Sequence, residues 1–354
     1  MSIMVEEIED QPTALERTFR EGLAAVEAFR RRIARHPPAC VVLVARGTSD
    51  NAALFGRYLL EITTGSVVSL AAPSVLTLYR AKLRWQNALV VGISQSGEST
   101  DTNLFLEAAR QGGALLVGIT NEPSSSITRL VDEVFLVRAG RERSVAATKT
   151  YTGQLLMMYL LAYALGAPLV PRLLERLPAA AARALRLKRA VTELAGRYCF
   201  MNEAVVVGRG VNYANAYEFA LKMMETSYVV AERFSSADFL HGPIAMVERA
   251  FPVFLFAPSG PTWAGTRAIL EKLHRLEAET VVIGDAAHSA SFRYATRSIR
   301  VPGPPLSPPR GLPADVFTPI PYIVPAQLFA AALAAEKGLN PDRPRTLTKI
   351  TRTV

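Results

Sequence analysis

Glu218, Lys222 and Glu225 stand at i, i+4 and i+7, a spacing that puts all three on one face of a helix. An exposed Glu–Lys pair of this kind is worth only about 0.2–0.5 kcal/mol. Ala220-Leu221 and Met223-Met224 crowd apolar bulk around the three, which argues for a half-buried face instead. On such a face a carboxylate beside an ammonium can have a tuned pKa and serve as a general base. Sixteen residues beyond Glu225, His241 opens a Gly242-Pro243 turn, with Asp238 three residues ahead of it. A lone histidine is usually structural. With Asp238 to orient its ring, this one can also move protons.

A second constellation suits an anion. The loop Ser94-Gln95-Ser96-Gly97-Glu98-Ser99-Thr100 leaves an apolar run and enters a helical pattern. Hydroxyls and backbone N–H groups at the positive end of a helix dipole form a phosphate nest. Gly47-Thr48-Ser49 follows an earlier apolar run in the same manner. One such loop alone reads as a capped helix start; two in one sheet favour phosphate. Neither is a dinucleotide fingerprint or a P-loop.

Two cations accompany these groups. Lys149 follows Thr148 at the head of an apolar helix, where it either adds charge near the ligand or solvates the helix start. Lys349 lies in the extended tail after Gly338, a good helix stop. A tail usually frays; this one can instead deliver an amine to a carbonyl.

The elements that must position these residues follow from apolar runs alternating with helical patterns. Strands are predicted at 40–45, 66–70, 88–93, 115–120 and 134–137, with helices near 51–62, 100–110 and 150–165. The strands lack period-two alternation, as expected where both faces are covered. The second half repeats the plan. Arg46-Gly47 superposes on Arg209-Gly210 with a shift of 163, and the same shift carries Ser96-Gly97 onto Ser259-Gly260. Val117 then matches Val282 at about 165, so a small insertion lies between. A shift holding over several elements argues for duplication. The fold predicted is α/β: two tandem doubly wound parallel-sheet domains, flavodoxin-like three-layer sandwiches. The expected plan is a helical lead-in at 1–36, domains at 37–170 and 198–338, a connecting helix at 171–197, and a tail at 339–354. The second copy has Ala257-Pro258-Ser259-Gly260-Pro261 where the first has its hydroxyl loop. Pro261 lacks an N–H, so the anion site is assigned to the first copy only.

Composition narrows the class. The chain has 354 residues, half of them hydrophobic, and a formal charge of +9. That excludes disorder and a disulfide-dependent scaffold. The cations are mostly Arg, scattered without the basic block of a nucleic-acid tail. Two cysteines and four dispersed histidines suggest no metal site, and no cofactor is implied. The start is acidic and polar, and the apolar stretch 155–165 is too short to cross a bilayer, so a cytoplasmic protein is expected.

Together these residues resemble the sugar isomerase (SIS) family, specifically the isomerase half of the glutamine–fructose-6-phosphate aminotransferases. The resemblance covers essentially the whole chain. It starts at Glu7-Ile8-Glu9-Asp10-Gln11-Pro12, runs through Gly47-Thr48-Ser49, Ser94–Glu98 and Thr148-Lys149, and ends in Asp342-Arg343-Pro344-Arg345 and Lys349. It implies that Ser49, Ser94, Gln95, Ser96 and Ser99 hold the phosphate of a hexose or amino-hexose 6-phosphate, with Thr48 and Val145 nearby. It implies that Glu225 moves a proton between C1 and C2, that His241 opens the sugar ring, and that Lys349 forms a Schiff base. Glu218 and Lys222 match supporting residues. The family further implies a homodimer in which His241 serves the neighbouring subunit. Arg46 stands where the family has Cys, Asp238 where it has Glu, and the tail ends in Val354. No glutaminase segment precedes the module here, so a stand-alone deaminase/isomerase is expected, glucosamine 6-phosphate giving fructose 6-phosphate and ammonia. The competing readings are a deglycase of 6-phosphorylated fructosamines, to which Arg46 lends a carboxylate contact, and a non-catalytic sugar-phosphate sensor.

Overall fold

The computed structural model describes residues 2–303 and 308–349, so of the tail ending only Val354 and its four predecessors lie outside it. Among the described residues, β1 (Cys40–Val44), β2 (Val67–Leu70), β3 (Ala88–Ile93), β4 (Leu115–Thr120) and β5 (Glu133–Leu136) form one sheet in the order β2-β1-β3-β4-β5. A second sheet has β6 (Glu203–Gly208), β7 (Val230–Ser235), β8 (Pro252–Ala257), β9 (Glu279–Asp285) and β10 (Arg297–Val301), in the order β10-β9-β8-β6-β7. Read from the opposite edge, that is the same topology. All pairings are parallel. The central β3 and β8 are buried at every residue, which is why neither alternates polar with apolar. The flavodoxin-like order puts a switch point between β1 and β3 in one sheet and between β6 and β8 in the other.

Register confirms the duplication and refines it. Val42 pairs with Val90, and Val205 with Val253, both numbers larger by 163. Cys40↔Val67 becomes Glu203↔Val230 with the same shift. From β4 onward the shift is 164: Leu89↔Leu115 becomes Pro252↔Glu279, and Val117↔Glu133 becomes Val281↔Arg297. The insertion is therefore one residue, not the two suggested by matching Val117 to Val282.

The chain forms two compact units. The first-sheet unit comprises Thr13–Glu142, Lys149–Glu175 and the tail from Thr346; the second-sheet unit comprises residues up to Pro12, Arg143–Thr148 and Arg176–Arg345. In each, the helix after the first strand packs on the last long helix. Phe55 meets Tyr159 at 5.0 Å between ring centroids in the first unit, and Phe219 meets Phe329 at 5.8 Å in the second. Helix Lys149–Ala164 is buried along its whole length, so it shows no amphipathic period. No helix among the described residues is long and apolar enough to cross a membrane.

The single connecting helix expected after residue 171 is instead three short ones, Pro171–Leu174, Leu177–Leu185 and Lys188–Ala195. Pro178 explains the first break: proline is tolerated in a helix's first turn but cannot continue one.

Candidate functional site

The first-sheet unit holds the hydroxyl loops. β3 ends at Ile93, and Ser94 N–H donates to the Ile119 carbonyl at 3.0 Å, extending the pairing with β4 by one residue. The chain then turns sharply at Gly97, where φ is +67°. A Cβ at Gly97 would lie 2.0 Å from Ser125 Oγ, so both conformation and space demand glycine. Gln95 is fixed through its carbonyl, which accepts from Asn121 N–H at 3.1 Å. Glu98 turns outward and receives Ser126 N–H and Ser126 Oγ, each at 2.8 Å.

The hydroxyls have a common arrangement. Ser94 Oγ accepts from Gly97 N–H at 3.1 Å, and Ser96 Oγ accepts from Glu98 N–H at 3.2 Å. Ser99 Oγ accepts from Thr102 Oγ1 at 3.0 Å, and the buried Ser49 Oγ accepts from Gln154 Nε2 at 2.9 Å. Each oxygen is thus an internal acceptor, which leaves its own O–H proton to donate. Neither helix Thr48–Thr64 nor helix Thr100–Gln111 has a side-chain cap. Thr48 is the first residue of the former and is half-buried.

Arg46 ties these two loops together. Its Nε and Nη2 donate to Asp101 Oδ2 at 2.8 and 2.5 Å, with Asp101 itself buried. In the same unit Lys349 Nζ lies 3.1 Å from Glu142 Oε2. Glu142 is buried and also receives Thr150 N–H at 3.1 Å and Thr150 Oγ1 at 2.6 Å, so it caps the helix that Lys149 begins. Lys149 is itself buried.

The second-sheet unit holds the acid–base groups. On helix Tyr213–Ser227, Glu218 and Lys222 are both fully buried. Lys222 Nζ stands 3.5 Å from Glu218 Oε1 and 2.5 Å from Glu225 Oε2. Only Glu225 reaches outward, its side chain 22% exposed. One ammonium therefore anchors two carboxylates and fixes the rotamer of the outer one. His241 is exposed at the end of helix Ser236–Leu240. Asp238 does not orient its ring: the carboxylate accepts from Ser235 Oγ at 2.6 Å, and Asp238 N–H donates back to Ser235 Oγ at 3.2 Å, a helix cap. Val145 is half-buried on the segment Arg143–Thr148, whose Arg143 and Ser144 N–H groups donate to the Glu7 carboxylate. Gln11 Nε2 donates to Gln327 Oε1 at 2.8 Å, and Gln327 Nε2 to the Thr148 carbonyl at 3.4 Å. The Glu7–Pro12 motif thus braces the strand of chain that carries Val145 and Thr148.

The predicted residues therefore fall in two groups: Thr48, Ser49, Ser94, Gln95, Ser96, Ser99 and Lys349 in one unit, and Val145, Glu218, Lys222, Glu225 and His241 in the other. Sequence reasoning missed Glu142 and Asp101, which carry no spacing signal. It saw Gln154 only as a polar interruption of an apolar run. Among the described residues no group of three or more His, Cys, Asp or Glu side chains is placed to hold a metal ion.

Over 349 residues the chain is 35% identical to the glutamine–fructose-6-phosphate aminotransferase (isomerizing) of Methanothermobacter thermautotrophicus, covering 98% of this chain and 56% of that protein. It is 33% identical to the enzyme of the same name from Pyrococcus horikoshii, covering 98% of this chain and 57% of the relative. The chain thus spans a little over half the length of these relatives. The C-terminal domain of glucosamine-fructose-6-phosphate aminotransferase from Francisella tularensis superposes with a TM-score of 0.85 at 26% identity, over 97% of this chain and 98% of that one. Residues 39–164 and 201–337 each match the SIS domain, and the chain belongs to the SIS family as a tandem pair of such domains.

Proposed function

We propose that this chain is an aminosugar-phosphate isomerase and deaminase that converts glucosamine 6-phosphate and water to fructose 6-phosphate and ammonia. The observation that carries the reading is the buried Glu218–Lys222–Glu225 row with only its last carboxylate reaching outward. A partly exposed carboxylate held by a buried cation is a positioned base. The Ser94–Ser99 loop and Ser49 supply the donors for the 6-phosphate.

The steps balance as follows. His241, from the neighbouring subunit of a homodimer, assists ring opening to the C1 aldehyde. Glu225 takes the proton from C2 and returns it to C1, leaving the ketone oxidation level at C2 as an imine. The Lys349 amine adds to C2 and expels ammonia. Water then hydrolyses the lysine imine, giving the C2 ketone and freeing the amine. Glu142, 3.1 Å from Lys349 Nζ, is placed to hold the proton the ammonium must lose.

Arg46 bears on the deglycase alternative. Its Nε and Nη2 are committed to Asp101, which speaks for a structural role over a contact to a substrate carboxylate. The test is a side-by-side assay of purified protein. Ammonia release from glucosamine 6-phosphate is expected. Amino-acid release from a 6-phosphorylated fructosamine without it would select the deglycase, and hexose phosphate binding with no turnover of any substrate would select the sensor.

A further inference from the structure

The carboxyl ends of β8 and β9 in the second sheet gather carboxylates, where the loop after β3 in the first sheet carries hydroxyls. Asp285 ends β9, and Asp315 lies on the short turn Ala314–Phe317. Gly260, at φ +138°, follows β8; a Cβ there would come within 3.2 Å of the Asp315 carboxyl carbon. Glycine thus lets that carboxylate lie against the loop. Asp285 Oδ1 accepts from Ala287 N–H at 2.9 Å, and Ser259 Oγ is 3.5 Å from Asp285 Oδ2. Helix Pro319–Glu336 brings Tyr322 to the same end of the unit.

Three features of this cluster ask for a positive charge. Asp315 is only 5% exposed, and burial pushes its carboxyl up to about 6. The Tyr322 side chain is fully buried, and its hydroxyl has no hydrogen-bond partner among the described residues. The charges that bear on that hydroxyl are those of Asp285 and Asp315, which with burial hold its proton in place. Neither carboxylate forms an ion pair among the described residues. Arg183 donates to the Gly303 carbonyl at 3.2 Å. His288 turns to Ser291 Oγ at 2.7 Å. Asp285 is partly buried, and the Asp315 carboxyl also accepts from the backbone N–H groups of Asp315 and Val316; a buried carboxylate without a counter-ion is nonetheless costly, and an ionised one can only accept hydrogen bonds.

We propose that Asp285, Asp315 and the Tyr322 hydroxyl bind a small monovalent cation, ammonium or potassium, at the carboxyl ends of β8 and β9 in the second sheet. The two ions share a size and a need for oxygen acceptors; ammonium is moreover a pure donor. A divalent ion fits less well, because hard ions take six or more oxygens, usually with several carboxylates, and no group of three acidic or imidazole side chains is assembled there among the described residues. This site is independent of the proposed turnover, so its test is read from stability.

The experiment is thermal unfolding of the full chain in the chlorides of ammonium, potassium, sodium and tetramethylammonium at equal ionic strength. Ammonium or potassium should raise Tm saturably over tetramethylammonium, by about 3 °C when the site is nine-tenths filled. Asp315→Asn and Tyr322→Phe should each lose that increment. A response to ammonium alone marks a site for a nitrogen reactant or product, and a response to potassium as well marks a structural cation. Equal Tm in all four salts overturns the proposal, as does an undiminished increment in both variants. If Asp315→Asn fails to fold, Tyr322→Phe, which removes one oxygen, carries the test.

Discussion

Helices Thr48–Thr64 and Tyr213–Ser227 are the same helix in two copies. The 163-residue shift holds at both ends: Gly47 and Gly210 precede them, and Gly65 and Tyr228 close them in the left-handed conformation. Glu218 therefore stands where the first copy has Phe55, Lys222 where it has Leu59, and Glu225 where it has Ile62. Phe55 and Leu59 are fully buried, and so are Glu218 and Lys222. The first copy shows what this position needs for folding, which is apolar bulk. Charges there carry a desolvation penalty of several kcal/mol per ion, offset only in part by their pairing. Folding stability does not explain them, and that is what supports the catalytic role proposed above. The strand ends differ in the same spirit: hydroxyls after β3 in the first sheet, carboxylates after β9 and on the 314–317 turn in the second.

The sharpest way to break the comparison is at its outermost position. Glu225→Gln keeps shape and removes the base. Turnover should fall about 10²–10⁴-fold with Tm and phosphate binding kept. An unchanged kcat would show that the charged row has another purpose. Next in size is the buried pair. Lys222→Met removes the buried ammonium that pairs with Glu218 and Glu225 and should cost about 3–5 kcal/mol in urea unfolding. The double change Glu218→Phe with Lys222→Leu, patterned on the first copy, should recover that loss while turnover stays absent. If the double variant is as unstable as the single one, the charges are structural and the comparison fails.

The carboxylates of the second sheet make a prediction about pH. Asp315 holds its proton up to about 6, against an ordinary 3.8, because burial disfavours its ionised form. Between those values the folded chain binds more protons than the unfolded one, so this group's contribution is fully present below about pH 4 and lost as pH rises through 6. Asp315→Asn stays neutral throughout. Relative to wild type it should gain about 3 kcal/mol between pH 4 and pH 7 in the absence of ammonium and potassium. A difference that does not vary with pH would place Asp315 in a wetter setting than its burial indicates.

Much of this was legible in the sequence because a duplicated parallel sheet writes itself as buried runs at a constant offset. β3 and β4 fall where they were expected, to the residue. Charged or hydroxyl residues at loop and helix spacing were legible for the same reason: local geometry is set by spacing. What escaped was non-local. Glu142 meets Lys349 across 207 residues of chain, and Arg46 meets Asp101 across 55. No periodicity encodes such pairs. Asp238 was assigned to His241 from proximity along the chain, whereas a helix start next to a serine offers it a closer partner in Ser235.

The smallest effect is the most direct test of the first switch point. Ser96 Oγ accepts from Glu98 N–H at 3.2 Å, so its proton is the part left for a ligand. Ser96→Ala removes both, but on unequal scales. The lost internal bond belongs to a half-exposed loop that Gly97, Asn103 and Ile127 also anchor: Asn103 Nδ2 donates to the Gly97 carbonyl at 3.2 Å and Ile127 N–H to the same oxygen at 3.1 Å. Stability should therefore move by less than about 1 kcal/mol. A hydrogen bond to a charged phosphate is worth about 1.5–3 kcal/mol, so KM for the hexose 6-phosphate, or Ki for inorganic phosphate, should rise at least about tenfold. Because the phosphate is remote from the reacting carbons, its contact is uniform through the reaction and kcat should change far less than KM. A fall in kcat with KM unmoved would place Ser96 at the reacting end of the substrate, and the donor nest would then need another ligand.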